Sequence, residues 1–518
     1  MKIGMWKSVL NKLLGEEPKN QKEKAESENL KKKDSMKPAK IEPQSQGSKQ
    51  ENPVPPEKIA QDTIETIKRK LTNISDAVFN EIQTTEGTVT IMYLASLVDA
   101  ITLHKSVILP ITNEIENVLT TFDTVNPNNV NSMVLSIVEG DTILYFHRMN
   151  RVIKVKTYSP PQRAVSASES ETTVIGPQDA FTESLQTNLS LIKRRIRQPG
   201  LKSIDRVVGK ETNTKISIVY MENIVNDENL KRLEERIAKV DYPGFVDTTM
   251  FKQIIEDNPY SPFPQFFHTT RPDSAVLWLL DGRIIIMMDN SPTVMVAPIT
   301  FIEMFFSPED LYNRWTTASL LRLLRFMGFF ITIMLTPMYI SALTYHPGIL
   351  PYELLIMLQE SRSRVPFPPV IEVLFIELVI EVLRESGSRM PTKIGQTIGI
   401  VGGIVIGTAA VEAGLVSNTL IVLVAISALL SFLMPSFLMS NASRFVRYLF
   451  ILAAGTFGLF GQMLALAWLF NHLLNLTSLG APFMTPVIPR KRTDLFDSII
   501  RFPLKFIRHT RGIARAKK

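Results

Sequence analysis

The sequence predicts an α/β cytosolic N-terminal region of two subdomains, followed by an all-α multispan transmembrane bundle. Three observations lead there. The first fifty-odd residues are mostly polar, and from Lys19 to Pro56 large apolar side chains are nearly absent. A long middle stretch alternates helical patterns with short β-rich runs around Gly-containing turns. The last third carries apolar runs separated only by short polar breaks. With 518 residues the chain also exceeds what one core organises. It divides into a disordered basic leader (1–56), a first α/β subdomain (57–160), a second (161–306), a transmembrane domain (307–489) and a basic cytosolic tail (490–518).

In the leader, Met5, Trp6, Val9, Leu10, Leu13 and Leu14 share one helical face opposite Lys7 and Lys12. This reads either as a membrane-surface helix or as the frayed helical end of a disordered tail. From Lys19 to Pro56 too little apolar surface is present to offset the entropy of ordering. No hydrophobic core or small-residue cleavage site of a signal peptide is present, so the N-terminus is expected to stay in the cytosol.

The subdomains begin with a helical pattern at Glu57 (Ile59, Ile64, Ile67, Leu71). Val134 to Val138, the turn Glu139-Gly140-Asp141 and Ile143 to Phe146 read as a β-hairpin, followed by a strand at Val152 to Val155. Val276 to Leu280, Asp281-Gly282-Arg283 and Ile284 to Met288 repeat the form, with a strand at Thr293 to Val296. The recurrence reflects either two related subdomains or a coincidence of two common motifs. Helices are expected at about Gln178 to Arg195 and Glu228 to Lys239.

Four apolar runs mark the membrane part: Met327 to Thr344, Thr397 to Val411 with an extension to Val416, Thr419 to Met439, and Tyr448 to Leu469. A fifth helix, Pro368 to Leu383, is interrupted by Glu372, Glu377 and Glu381, and carboxylates at membrane depth require water, protein or the interface beside them. They either line an aqueous path or pair with Arg362, Arg364, Arg384 and Arg389. Gly399, Gly403 and Gly407 form a smooth helical ridge for helix packing, and Gly455, Gly458 and Gly461 act similarly. Val401 and Val405, on a face beside the first ridge, suit a hydrophobic constriction. The pore-lining candidates are thus Glu372, Glu377, Glu381, Val401 and Val405. Arg322, Arg325 and the tail (Arg490-Lys491-Arg492, Arg501, Lys505) favour the cytosol on both sides of the bundle, which requires an even number of crossings: four if the glutamate helix stays on one side, with Arg444 and Arg447 then falling outside, or six if that helix crosses and the run from Asn471 to Pro489 returns to the cytosol.

Several function classes drop out. The chain has no cysteine, which excludes disulfides, thiol catalysis and thiolate metal sites. His104, His147, His268, His346, His472 and His509 form no ligand-spaced pair, and neither a nucleophile elbow nor a phosphate-cradling loop occurs. No enzymatic activity, catalytic residue, metal or cofactor is expected. Net charge is +7, and its excess lies mostly in the two tails, a pattern suited to anionic lipid headgroups and not to nucleic acid.

The run Val174-Ile175-Gly176-Pro177-Gln178-Asp179-Ala180-Phe181-Thr182-Glu183, with Asn188, Leu191 and Arg194-Arg195-Ile196, resembles the A subunit of the GerA family of spore germination receptors. So do Ser307-Pro308-Glu309-Asp310-Leu311-Tyr312, Val365-Pro366-Phe367-Pro368, Ile394-Gly395-Gln396-Thr397-Ile398-Gly399 and Ala409-Ala410-Val411-Glu412-Ala413-Gly414. The family usually has arginine at the position of Ile175 and glycine at that of Ala180, so any contact made by that arginine must differ here. The resemblance implies a multi-pass subunit of a germinant receptor in the inner membrane of the spore. It implies as partners a transporter-like B subunit that takes up the small-molecule signal, a lipoprotein C subunit, membrane lipids and further copies in an oligomeric ion channel. A paralogous sporulation-membrane protein modulating ion or dipicolinate release, and a secondary transporter using the three glutamates, are the competing functions.

Overall fold

The structure is a computed structural model, and it describes residues 56–85, 87–113, 122–159, 171–388, 405–489 and 497–503. The leader helix, Gly399, Gly403, Val401 and most of the basic tail lie outside them.

The N-terminal half holds two five-stranded antiparallel sheets built from the same succession of elements. The first comprises α1 (Pro56–Lys70), β1 (Ala77–Thr84), β2 (Gly87–Leu94), a helical segment α2 running through Ala100–Leu103, the π-turn His104–Ile108 and Leu109–Asn113, β3 (Asp123–Val125), α3 (Val130–Glu139), β4 (Thr142–Phe146) and β5 (Arg151–Val155). The second comprises α4 (Leu185–Lys193), β6 (Leu201–Val208), β7 (Thr214–Met221), α5 (Asp227–Ala238), α6 (Thr248–Ile255), β8 (Phe267–Thr269), α7 (Pro272–Leu280), β9 (Ile284–Met288) and β10 (Val294–Ala297). Strand order is β1-β2-β4-β5-β3 in one and β6-β7-β9-β10-β8 in the other, the same order position for position.

Both faces of each sheet are covered, which explains why the inner strands read as unbroken apolar runs instead of alternating ones. In the first sheet Ile143 and Tyr145 meet α1 and α3 on one face, while Leu144 and Phe146 meet Leu103, Val107 and Ile111 of α2 on the other. In the second, Ile285 and Met287 meet α4 and α7, while Ile284, Ile286 and Met288 meet α5 and α6.

The two expected hairpins are corrected. Val134 to Val138 and Val276 to Leu280 belong to helices α3 and α7, and each Gly-containing turn leads from a helix into a strand. Burial explains the reversal: Met133, Val134, Ile137 and Val138 share a helical face in the core, so packing overrides the β-propensity of Val and Ile. Gly140 caps α3 at φ 99°, with its N–H donating to Ile137 O and the next N–H to Ser136 O.

The subdomains meet where the chain after α1 runs beside β6. Ser75 and Ser203 exchange backbone bonds with Ser203 and Asn73, and Lys202 Nζ donates to the carbonyls of Lys70 and Thr72 at 2.9 and 2.8 Å. Between them Asp76 pairs with Lys193, both buried, and Ser96 donates to the same carboxylate.

The C-terminal half is helical: α8 (Glu309–Tyr312), α9 (Trp315–Thr344), α10 (Tyr352–Ser361), α11 (Pro369–Ser388), α12 (Asn418–Ser431) and α13 (Phe437–Asn475), then a two-stranded turn, β11 (Thr477–Ser478) and β12 (Ala481–Pro482). Among the described residues α9 and α13 are long and apolar enough to cross a membrane. The expected run Thr419 to Met439 is not one helix, because the helical pattern ends at Ser431 and restarts after Pro435.

Straight, α13 would measure about 58 Å. Instead the chain folds back at Gly458, whose φ 60° and ψ −139° are non-helical. A Cβ on Gly461 would collide with the carbonyl oxygen of Ala453, although eight residues of continuous helix span about 12 Å. The reversal frees the carbonyls of Gly455 and Thr456, and Tyr345 Oη, donating from the end of α9, lies 2.7 and 3.0 Å from them. The first limb of α13 climbs along α9, so that Ile451 and Ala454 join Tyr339 and Ile340, and the second limb descends until Phe470 stacks on Phe330. The expected packing role of Gly455, Gly458 and Gly461 is therefore a helical hairpin within one chain.

Below the hairpin the chain returns to the second sheet. Leu479 is fully buried in the core under α5 and α6, and Asp257 accepts from the N–H groups of Leu479 and Gly480 at 3.1 and 2.8 Å. Asp310 binds Arg322 and Arg325 of α9, while Arg322 also reaches Asp497. The start of α9 and the end of α13 thus lie at the same end of the helical half.

Two outcomes follow. Asp76→Ala leaves the Lys193 ammonium buried and unpaired and should lower stability by about 3–5 kcal/mol, read by chemical denaturation. Burial raises the Asp76 carboxyl, and the Lys193 charge with the Lys193 and Ser96 hydrogen bonds more than offsets this, leaving it below the ordinary 3.8. The pair therefore stabilises fully above pH 3.8 and is lost as pH falls through the lower folded value. Gly461→Ala puts a methyl group against backbone and should lower the thermal midpoint in detergent, whereas Gly348→Ala, which meets nothing within 4 Å among the described residues, should not.

Candidate functional site

An apolar helix can carry charge into a bundle only if each charge meets a partner there. On α11 Glu377 and Glu381, four residues apart, share a side facing α13, while Glu372, five residues before Glu377, turns toward Arg362 and the start of α12. Each has an arginine partner.

Glu372 is fully buried. Its Oε2 accepts from Arg362 Nε at 3.0 Å and its Oε1 from the Ser417 N–H, just before α12, at 2.6 Å. Ser417 Oγ in turn lies 3.1 Å from the Tyr339 hydroxyl. Glu377, also buried, faces Arg447 of α13 at 2.8 Å, and Thr336 of α9 donates to its other oxygen at 3.4 Å. Arg447 continues the network by donating to Ser427 Oγ at 3.0 Å, and Ser427 donates to the Thr332 carbonyl at 3.1 Å. Glu381, half-buried, pairs with Arg444. Arg384, one turn further, donates to Ser431 Oγ at 2.7 Å and lies over the Phe432 ring.

The result is a ladder of ion pairs between α11 and its neighbours. Its lower part holds Arg384, Arg444 and Arg447 against Glu377 and Glu381. The Nε atoms of all three arginines are buried, and among the described residues none has a hydrogen-bond partner. Lone buried donors are costly, and among the described residues of the helical half this region concentrates them.

Of the expected site residues, the structure brings the three glutamates onto one ladder and pairs Glu372 with Arg362, as one of the two sequence readings held. Arg384 contributes a hydroxyl contact, and Arg389 lies outside the described residues. Val405 begins a π-turn, Val405–Ala409, and a Cβ on Gly407 there would meet nothing within 4 Å among the described residues. Arg444 and Arg447 were weighed from sequence only as signals of orientation, and their pairing role was missed. The signal was their spacing, i and i+3 on an apolar helix, which complements the i and i+4 pair Glu377 and Glu381. Among the described residues no group of three side chains suits a metal ion.

The ladder has a direct test. Arg447→Met should leave Glu377 buried and unpaired and cost most of the folded protein in a size-exclusion assay in detergent. Adding Glu377→Met should restore much of it, because removing both charges is far less damaging than removing one.

Residues 65–512 match the family described as Bacillus/Clostridium GerA spore germination protein. Spore germination protein GerQA of Bacillus cereus is 39% identical over 470 residues, covering 89% of this chain and 93% of its own. Spore germination protein KA of Bacillus subtilis (strain 168) is 33% identical over 460 residues, covering 86% and 84%. A crystal structure of the N-terminal domain of the A subunit of the Bacillus megaterium spore germinant receptor GerK3 aligns with a TM-score of 0.35 at 25% identity, covering 46% of this chain and 94% of that one. With a family match spanning most of its length and relatives this similar, the chain belongs to the GerA spore germination protein family.

Proposed function

We propose that this chain is the A subunit of a spore germinant receptor, seated in the inner membrane of the spore, and that it oligomerises into a channel for monovalent cations. In this reading a transporter-like B subunit binds the nutrient and a lipoprotein C subunit completes the receptor. The observation that carries the receptor assignment is the family match over residues 65–512.

The helical half supports a multi-pass arrangement. α9 and the first limb of α13 run the same way and the second limb runs back, and the start of α9 and the end of α13 both lie beside the second α/β subdomain, as an even number of crossings requires. The N-terminal region then shares the cytosolic side with the tail. Arg444 and Arg447, which looked misplaced in a four-crossing arrangement, are neutralised inside the bundle by Glu381 and Glu377.

The ladder supports an ion path beside α11. Charged side chains with unsatisfied donors, held among apolar helices, characterise a water-accessible route. Glu372 and Glu377 hold helices together, and Glu381, half-buried at the lower end, is the acid placed to meet passing cations. Val401 and Val405 remain the proposed hydrophobic gate, and Gly399, Gly403 and Gly407 the proposed packing ridge.

The receptor complex reconstituted in liposomes tests this. Glu381→Gln should reduce potassium flux severalfold with the channel still closed at rest, whereas Val401→Ser should leak without nutrient. If wild type conducts and both variants behave like it, the pore assignment is wrong. If the assembled wild-type receptor passes no ions under any nutrient, the channel reading fails.

A further inference from the structure

We propose that residues 171–183 form a strap coupling the second α/β subdomain to the start of α9, and that ionisation of Glu171 loosens it. This stands independently of the pore assignment.

The strap crosses the edge strand β8 and ends at α4, with the Phe181 N–H donating to the Thr270 carbonyl at 2.7 Å. Its far end is locked by Asn188, which accepts from the Thr182 N–H at 2.8 Å and donates to the Thr182 carbonyl at 2.6 Å. Its near end is organised by Arg271, which is fully buried. That guanidinium donates to the Glu171 carbonyl at 3.2 Å, to Thr173 Oγ1 at 2.6 Å and to the Pro177 carbonyl. Its other edge pairs with Asp273 at 2.9 Å.

The same points hold α8, which leads directly into α9. The Tyr312 hydroxyl donates to Asp273 at 2.6 Å, and its ring lies so close over Gly176 that a Cβ there would sit 2.6 Å from it. Glu309 accepts from the Val174 N–H at 2.7 Å. Gly176 has φ 115°, so the residue is fixed both by backbone conformation and by the ring above it. Two sequence motifs more than a hundred residues apart, around Gly176-Pro177 and around Ser307 to Tyr312, are therefore the two halves of one joint. Ile175, where the family usually has arginine, is exposed, and the hold comes from Arg271 instead.

Protonation sets the charge balance of this joint. Glu171 faces Thr269, whose hydroxyl donates to it at 2.8 Å, together with the Thr270 N–H, Arg271 and Asp273. Burial raises its carboxyl to about 7, with the Thr269 and Thr270 hydrogen bonds and Arg271 lowering it in part and Asp273 raising it. Burial, and then the bond to Asp273, push the Tyr312 hydroxyl upward, so it stays a donor throughout. With Glu171 neutral, Arg271 balances Asp273 alone. With Glu171 ionised, two carboxylates share one guanidinium. Because the strapped value lies above the ordinary 4.5, the hold is full below 4.5 and declines as pH rises to about 7, beyond which it levels off.

Amide hydrogen exchange on the full chain in detergent, divided by intrinsic rates and referenced to β6 and β7, reads this directly. Protection of residues 171–183 should fall by roughly tenfold per pH unit between about 4.5 and about 7 and then plateau. Glu171→Gln, which keeps an oxygen for Thr269, should hold the strap at every pH. Tyr312→Phe should lower protection uniformly while leaving the pH dependence in place. A wild-type strap whose protection ignores pH, or a Glu171→Gln variant that keeps the wild-type profile, overturns the proposal.

Discussion

A charge taken out of water is tolerable only beside its opposite, and that constraint fixes how the parts of this chain are joined. Asp76 and Lys193 sit where the two sheets meet. Arg271 and Asp273 hold the strap, and Arg283 and Glu303 tie β9 to the segment leading into α8 at 2.7 Å. Asp310 gathers Arg322 and Arg325 at the base of α9, and Arg322 extends the cluster to Asp497. Glu377 and Arg447 close the bundle. Such pairs add little net stability over apolar packing, but each punishes any other arrangement of its neighbours, because a slipped partner leaves a bare charge in a dry interior. Junctions need that selectivity more than interiors do.

The family motifs make sense on the same terms. Gly176 and Pro177 lie under Tyr312, Asn188 closes a turn by bonding Thr182 twice, and Asp310 is the hub of two arginines. They specify how a sheet domain is attached to a set of helices.

What the sequence disclosed depended on whether the signal was local. α1 and α5 were legible because their faces repeat with helical period, and α5 runs Asp227–Ala238 against an expectation of Glu228 to Lys239. α3 and α7 were misread because Val134, Leu135 and Ile137, or Val276, Leu277 and Leu279, have strand-like composition, and only their place on a sheet face makes them helical. The recurrence of the two Gly turns, which the sequence left open between related subdomains and coincidence, falls at the same place in two sheets of matching strand order. The reversal at Gly458 was hidden because a run of apolar residues with small ones every third position describes a straight helix equally well. The partners of Glu377 and Glu381 were hidden because Arg447 and Arg444 stand more than sixty positions away, and no spacing rule reaches that far.

The placement of Leu479 bears on how the protein is made. A ribosome delivers both sheets first, but the core beneath α5 and α6 has an unfilled position until a residue near the end of the chain arrives. The helices between must be laid down before that leucine can come back. Completion of the second α/β subdomain therefore waits on the return of the chain from the helical half, and until Leu479 arrives an apolar notch stays open beneath α5 and α6.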